Sequence, residues 1–206
     1  MKKKVIVVLL LLAVFGGGWS WLRSQNGFSA REQPSALESA AAGFARRMAI
    51  PAEATSLKNP QPMSAENISE GLEHFADHCA VCHANNGSGD TELGRNMYPK
   101  PPDMRGPGTQ TKSDGELYFV IQNGVRLTGM PGFGRPDRTD DMGTWNLVHF
   151  IRHLPKLTPE EEARMKTLNP ISPEELKEQR EGDDFLNGGE SKEKPDSHTH
   201  GHKEKK

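Results

Sequence analysis

Apolar positions along this chain fall into three regimes. The first is an unbroken run from Val5 to Phe15, preceded by Met1-Lys2-Lys3-Lys4 and followed by Gly16 to Gly18 and Trp19-Ser20-Trp21-Leu22. Val5 to Leu22 is about the length that crosses a bilayer, which takes roughly 17–25 residues. The second regime has helical spacing. Ser35-Ala36-Leu37-Glu38 has capping-box spacing, and Leu37, Ala41, Phe44 and Met48 follow on one stripe until Pro51. Another helix starts near Ser64 and places Ile68, Leu72, Phe75 and Cys79 on one face. A further helix opens at Ser113 with Glu116 and stops near Asn123-Gly124. The next spans Asp140 to Leu154, where Leu147, Ile151 and Leu154 share a face, Trp145 and Val148 flank it, and Pro155 ends it. Two short segments, at Thr158-Pro159-Glu160-Glu161 and Ser172-Pro173-Glu174-Glu175, each put Pro at the first helical position. The third regime has no periodicity: a linker from Ala52 to Met63, a Gly-, Asn- and Pro-rich stretch after His83, and a polar tail from Asn187 whose composition predicts disorder. Strand-like alternation is missing, so the fold class is all-α.

These patterns divide the chain into a membrane segment (1–22), a stalk and linker with one short helix (23–62), a main domain (63–157), a helical extension (158–186) and the tail (187–206). Lysines ahead of an apolar stretch mark export, and they stay in the cytoplasm while the rest crosses the membrane. Phe28-Ser29-Ala30 puts a bulky residue where a cleavage site wants a small one, and Trp19 and Trp21 suit the far interface. An uncleaved anchor is therefore favoured over a cleaved signal.

Composition narrows the chemistry. Of the 206 residues 33% are hydrophobic, and mean hydropathy is -0.72. With the membrane segment set aside, the remaining core is small, and small cores usually need a disulfide, metal or cofactor as a staple. Net charge is -2 and the pI about 6.5, which gives no footprint for nucleic acid.

The two cysteines stand in Cys79-Ala80-Val81-Cys82-His83, a C-x-x-C-H sequence. Two thiols at this spacing can add across the two vinyl groups of one haem, and the histidine that follows lands under the iron as proximal ligand. A thioredoxin-like dithiol would want a βαβ context, and this region is helical. A zinc site would need a second ligand pair; His74 and His78 are more simply polar residues on the solvent side of their helix. The motif therefore points to one covalent haem c.

With these residues in view, the chain resembles the class I c-type cytochromes. Gly71-x-x-x-Phe75-x-x-x-Cys79 is similar to the family's N-terminal helix, and Leu147-Val148-His149-Phe150-Ile151 to its C-terminal helix. The resemblance covers roughly residues 64 to 155. It implies a haem-wrapping domain of about three main helices, in which the glycine lets the terminal helices cross closely. It also implies a methionine as sixth ligand. Met130, in Gly129-Met130-Pro131, matches the family's ligand loop; Met104 is the runner-up, and Met97 and Met142 are expected to pack. Tyr98, Pro99, Pro101 and Pro102 are expected along one haem edge. Arg126 is either a propionate partner or a solvated loop residue, and Trp145 packs on the haem or within the helix interface. His149 and His153 are expected toward solvent or the rim.

The implied function is one-electron transfer by an iron held between His83 and Met130, tethered at the outer face of the cytoplasmic membrane. It implies an electron carrier, not an enzyme, working with redox partner proteins of a membrane electron-transport chain. A haem subunit of a larger oxidoreductase is the alternative. A haem enzyme or sensor would need an open or displaceable axial position, against which Met130 argues. His198, His200 and His202 alternate in the tail and offer weak metal binding beside the plainer reading of a solvated tail.

Overall fold

The computed structural model describes residues 2–24, 29–134, 140–171 and 173–186. The tail histidines and Ser172 lie outside the described residues. Among those described, every regular element is helical and no strand occurs. The apolar N-terminal run forms helix α1 (Lys2–Ser24), long and apolar enough over Lys4–Ser24 to cross a membrane.

Helix starts fall where capping chemistry places them. In α2 (Ala36–Ala49), the Ser35 hydroxyl accepts from Glu38 N–H and the Glu38 carboxylate accepts from Ser35 N–H. The same reciprocal pair, Ser113 with Glu116, opens α8 (Asp114–Asn123), and Thr158 with Glu161 opens α10 (Pro159–Leu168). Ser64 caps α4 (Ala65–His78) through Asn67 N–H, and Asp141 caps α9 (Met142–His153) through Thr144 N–H. Each cap satisfies a backbone donor that the first turn leaves free. Shorter turns complete the unit: α3 (Ala52–Ser56), α5 (Ala80–His83), α6 (Glu92–Arg95) and α7 (Pro107–Gln110).

The core sits where α4 and α9 cross. Leu72 and Phe75 of α4 meet Val148, Phe150 and Ile151 of α9, and the Phe75 and Phe150 rings lie 5.1 Å apart. The crossing is close because Gly71 has no side chain. A Cβ there would stand 2.1 Å from the Asn146 carbonyl oxygen and 2.9 Å from Phe150 Cβ. From α8, Tyr118 stacks on Trp145 at 4.1 Å, so Trp145 lies in the helix interface. Met165 of α10 is fully buried, and Arg164 of the same helix pairs with Glu73 of α4. The guanidinium of Arg152 ties α9 to Asp114 and to the Gln110 and Lys112 carbonyls.

Two expectations are corrected here. The segment from Ala52 to Met63 does not read in space as a free linker. It carries α3 and straps onto α8 and α9: Ser113 Oγ donates to the Thr55 carbonyl, and Asn59 Nδ2 donates to the Trp145 carbonyl at 2.9 Å. Ala54 presses against Gly115, where a Cβ would fall 2.0 Å from the Ala54 carbonyl oxygen. This strap explains the second correction. His149, expected at solvent or the rim, is 4% exposed, with Nε2 3.0 Å from the Gln61 carbonyl. Every residue of α9 from Thr144 to Ile151 is buried, so the helix has no solvent face there. His153 is half-buried, its Nε2 2.9 Å from both carboxylate oxygens of Glu161. His74 too is half-buried, its pKa lowered by burial first and by neighbouring His78 second, whereas His78 is exposed.

Helix α11 (Pro173–Leu186) belongs to a second unit (170–206). It carries an exposed Lys177–Glu181 pair one turn apart.

Candidate haem site

The chain gathers Cys79, Cys82 and His83 into a single helical turn. Cys79 ends α4, donating its N–H to the Phe75 carbonyl, and at once begins α5. His83 N–H donates to the Cys79 carbonyl at 2.9 Å. Ala84 then takes a left-handed φ of 60°, which turns the chain away from the helix direction. The loop that follows folds back over the motif. Gly89 N–H donates to the His83 carbonyl at 2.8 Å, and Thr91 Oγ1 donates to the Cys82 carbonyl at 3.3 Å. Gly94 is needed there, because a Cβ would come within 2.8 Å of the Cys82 carbonyl oxygen. Pro101 packs on the other side of this turn, 2.5 Å from where a Cβ on Gly89 would stand.

The electrostatics of the turn are those of neutral, coordinating groups. Burial depresses the His83 pKa to about 4, so the imidazole is neutral at physiological pH and keeps a lone pair for a metal. Its Nδ1 is buried without a hydrogen-bond partner. Burial pushes the Cys79 thiol up to about 12, with the Cys82 charge adding to it, and raises Cys82 as well. A dithiol oxidoreductase needs the opposite, a thiol whose pKa is lowered. Among the described residues, no cluster of three or more His, Cys, Asp or Glu side chains is arranged to hold a metal ion.

Met130 is presented by a separate loop between α8 and α9. Gly124, at φ +67°, turns the chain out of α8; Val125 N–H donates to the Met130 carbonyl, and Met130 N–H donates to Thr128 Oγ1. Phe133 and Gly134 N–H groups then return to the Ile121 and Gln122 carbonyls, closing the loop onto α8. Met130 is half-buried. Met97 reaches this loop too: a Cβ on Gly129 would lie 3.1 Å from its Sδ. Met104 is buried in the core cluster and Met142 is exposed. Arg126 is exposed in the Met130 loop. Tyr98, at the surface, donates its hydroxyl to Glu38 Oε1 at 2.9 Å.

Sequence reasoning missed three features around the site: the buried His149, the Asn146–Glu70 hydrogen bond beside the Gly71 crossing, and the Arg152 clamp. None has a local signal, because each partner lies at least 38 residues away in the chain.

Two helices crossing over a glycine, with a C-x-x-C-H turn at the end of the first, define a class I c-type cytochrome domain. Residues 66–151, from the start of α4 to near the end of α9, match the family described as cytochrome c oxidase, cbb3-type, subunit III. No curated protein matches the chain. The domain is a haem-binding electron-transfer module, and the apolar α1 preceding it has the character of a membrane anchor or export signal. The residues at the C-x-x-C-H turn fit a haem on this structure's own terms: a buried neutral imidazole with an unpartnered ring nitrogen directly follows two un-ionised thiols.

Proposed function

We propose that the chain holds one haem c through thioethers at Cys79 and Cys82, with His83 and Met130 as axial ligands, and carries single electrons at the outer face of the cytoplasmic membrane. The observation that carries this reading is the buried, unpartnered His83 imidazole on the same turn as the two cysteines. When bound, the haem supplies a one-electron Fe(III)/Fe(II) couple. The chain's own residues do the rest. Cys79 and Cys82 fix position, and His83 supplies a neutral nitrogen whose place is set by the α5 turn. Met130 supplies a soft thioether from a loop pinned to α8, closes the sixth position to substrate and favours the reduced state. Residues 63–157 make the haem domain in this reading. An uncleaved α1 confines it near the redox proteins of a membrane chain and raises its effective concentration there.

A second reading, a haem subunit of a larger membrane oxidoreductase, is favoured by the matched family, whose description is that of an oxidase subunit. Purification from mild detergent separates the two: a stoichiometric complex supports the subunit, a lone chain the carrier.

The ligand assignment is tested by optical spectra and redox titration of the intact protein. The expected result is haem that stays with the chain on denaturation and a low-spin ferric spectrum with the weak long-wavelength band of sulfur ligation. Met130→Ala loses that band and lowers the potential, while Met97→Ala keeps both. Five-coordinate high-spin haem in the parent protein, or loss of the band in Met97→Ala instead, overturns the assignment.

A further inference from the structure

The helix α2 has an apolar stripe that none of the described residues covers. Leu37, Phe44 and Met48, with Ala41, recur at intervals of four, three and four residues and so share one narrow face. Leu37 is 80%, Phe44 60% and Met48 72% exposed, and α2 buries no residue at all. The haem domain does not cover this stripe. It meets the α2 region through polar groups instead: Tyr98 donates to Glu38 on the flank of the stripe, and Lys100 Nζ donates to the Arg31 carbonyl at 3.1 Å. Ser39 and Arg46 lie on the face opposite the stripe.

Two observations say what covers it. The helix α1, the segment able to cross a membrane, ends at Ser24, and α2 begins at Ala36, so the connection spans at most about 40 Å even when fully extended. The stripe is thus held beside a lipid surface at high effective concentration, which lets a short helix with only three large apolar residues bind where it would not bind alone. Arg47, in the last turn, stands on the flank of the stripe away from Glu38, where it complements anionic headgroups and the negative end of the helix dipole. An amphipathic helix of this make, with a cationic residue beside its apolar face and another on the polar face, lies in the plane of the interface.

We infer that α2 is an interfacial helix lying in the outer headgroup layer, with Leu37, Phe44 and Met48 toward the acyl chains and its polar flank toward the haem domain. This rests on the reading of α1 as an uncleaved anchor. Its consequence is that the Tyr98 and Lys100 contacts fix the height and orientation of the haem domain over the membrane, where a bare stalk would let it swing.

The test uses the full chain with its haem, in vesicles of phosphatidylcholine with and without phosphatidylglycerol. Single cysteines are introduced as Leu37→Cys, Ser39→Cys, Phe44→Cys, Arg46→Cys and Met48→Cys, and each is spin-labelled. Collision with oxygen, which concentrates in lipid, is compared with collision with a water-soluble nickel chelate. The expected result is oxygen dominance at 37, 44 and 48, chelate dominance at 39 and 46, and a stronger contrast in the anionic vesicles. Chelate access at every site, which means a helix standing in water, overturns the proposal. Protection from both reagents at 37, 44 and 48, which means cover by a partner or a second copy, overturns it as well. The parent chain, labelled in parallel, takes up no label if Cys79 and Cys82 are thioethers, so a failure of the haem reading shows separately. An intact mass lacking α1 overturns the anchor reading and this proposal together; a full mass with uniform chelate access overturns this proposal alone.

Discussion

Gly71 is the position at which the smallest substitution should do the most damage. Gly71→Ala places a methyl group 2.1 Å from the Asn146 carbonyl oxygen, 2.7 Å from its carbonyl carbon and 2.9 Å from Phe150 Cβ. The nearest opposing atoms are α9 backbone, which cannot swing aside as a side-chain tip can. Ordinary contact begins near 3.4 Å, so from 2.1 Å the two helices must part by about 1.3 Å or tilt by an equivalent amount. Parting them loosens the Phe75–Phe150 contact and stretches the Asn146–Glu70 hydrogen bond, both within one turn of the crossing. Overpacking in a close-packed core costs about 1–3 kcal/mol and occasionally more; with backbone as the obstacle, about 3 kcal/mol is expected here. For a domain of roughly this size that is a fall in Tm of about 12–24 °C. The assay is thermal and denaturant unfolding of the holoprotein, followed by helix circular dichroism and by the haem absorption band. Gly43→Ala is the control: the same chemical change in a helix interior, where the nearest atom is the flexible Arg47 side chain at 3.8 Å. It should leave the domain's midpoint unchanged. A Gly71→Ala midpoint within about 0.5 kcal/mol of the parent would refute the reasoning, since distant surface changes commonly fall in that range.

Two further predictions concern α10. Met165→Ala empties a fully buried site between α10 and the α4–α9 pair and should cost about 2–5 kcal/mol in denaturant unfolding. Glu161 sets an acid limit. Burial works to raise its pKa, but hydrogen bonds from Thr158 N–H and His153, with the His153 charge, outweigh it and hold the carboxyl below its ordinary 4.5. A carboxylate with a depressed folded-state pKa stabilises fully above its ordinary value, and that contribution is lost as pH falls through the depressed one. Unfolding midpoints measured downward from neutral pH should therefore fall less steeply below about pH 4.5 in Glu161→Gln than in the parent. Parallel curves would show that Glu161 contributes nothing to the acid limit.

Much of this protein was legible in its sequence because the relevant physics is local. The C-x-x-C-H motif needs only one helical turn to bring two thiols and an imidazole together, and that turn forms. Caps are equally local: Ser35 with Glu38, Ser113 with Glu116, and Thr158 with Glu161 each close both hydrogen bonds within three residues. The close approach at Gly71 was implied only by the family resemblance, and its partner emerged as the α9 backbone at Asn146 with Phe150 Cβ.

Tertiary structure decided what depends on cover from distant chain. The stripe on α9 suggested a one-sided helix with His149 and His153 outward. The strap carrying Gln61 and α3 covers one flank and encloses His149, while α10 brings Glu161 to the other and leaves His153 half-buried. The stretch with Pro60 and Pro62 looked like a linker because prolines stop helices, yet packing needs no periodicity; it needs only a complementary surface, which Gly115 and the Trp145 carbonyl supply. The reverse holds for α2. Its stripe has the spacing that elsewhere in this chain marks burial, and only the fold shows that no part of the described protein covers it. Periodicity records which residues gain by leaving water; where they go is fixed by contacts that the local sequence does not encode.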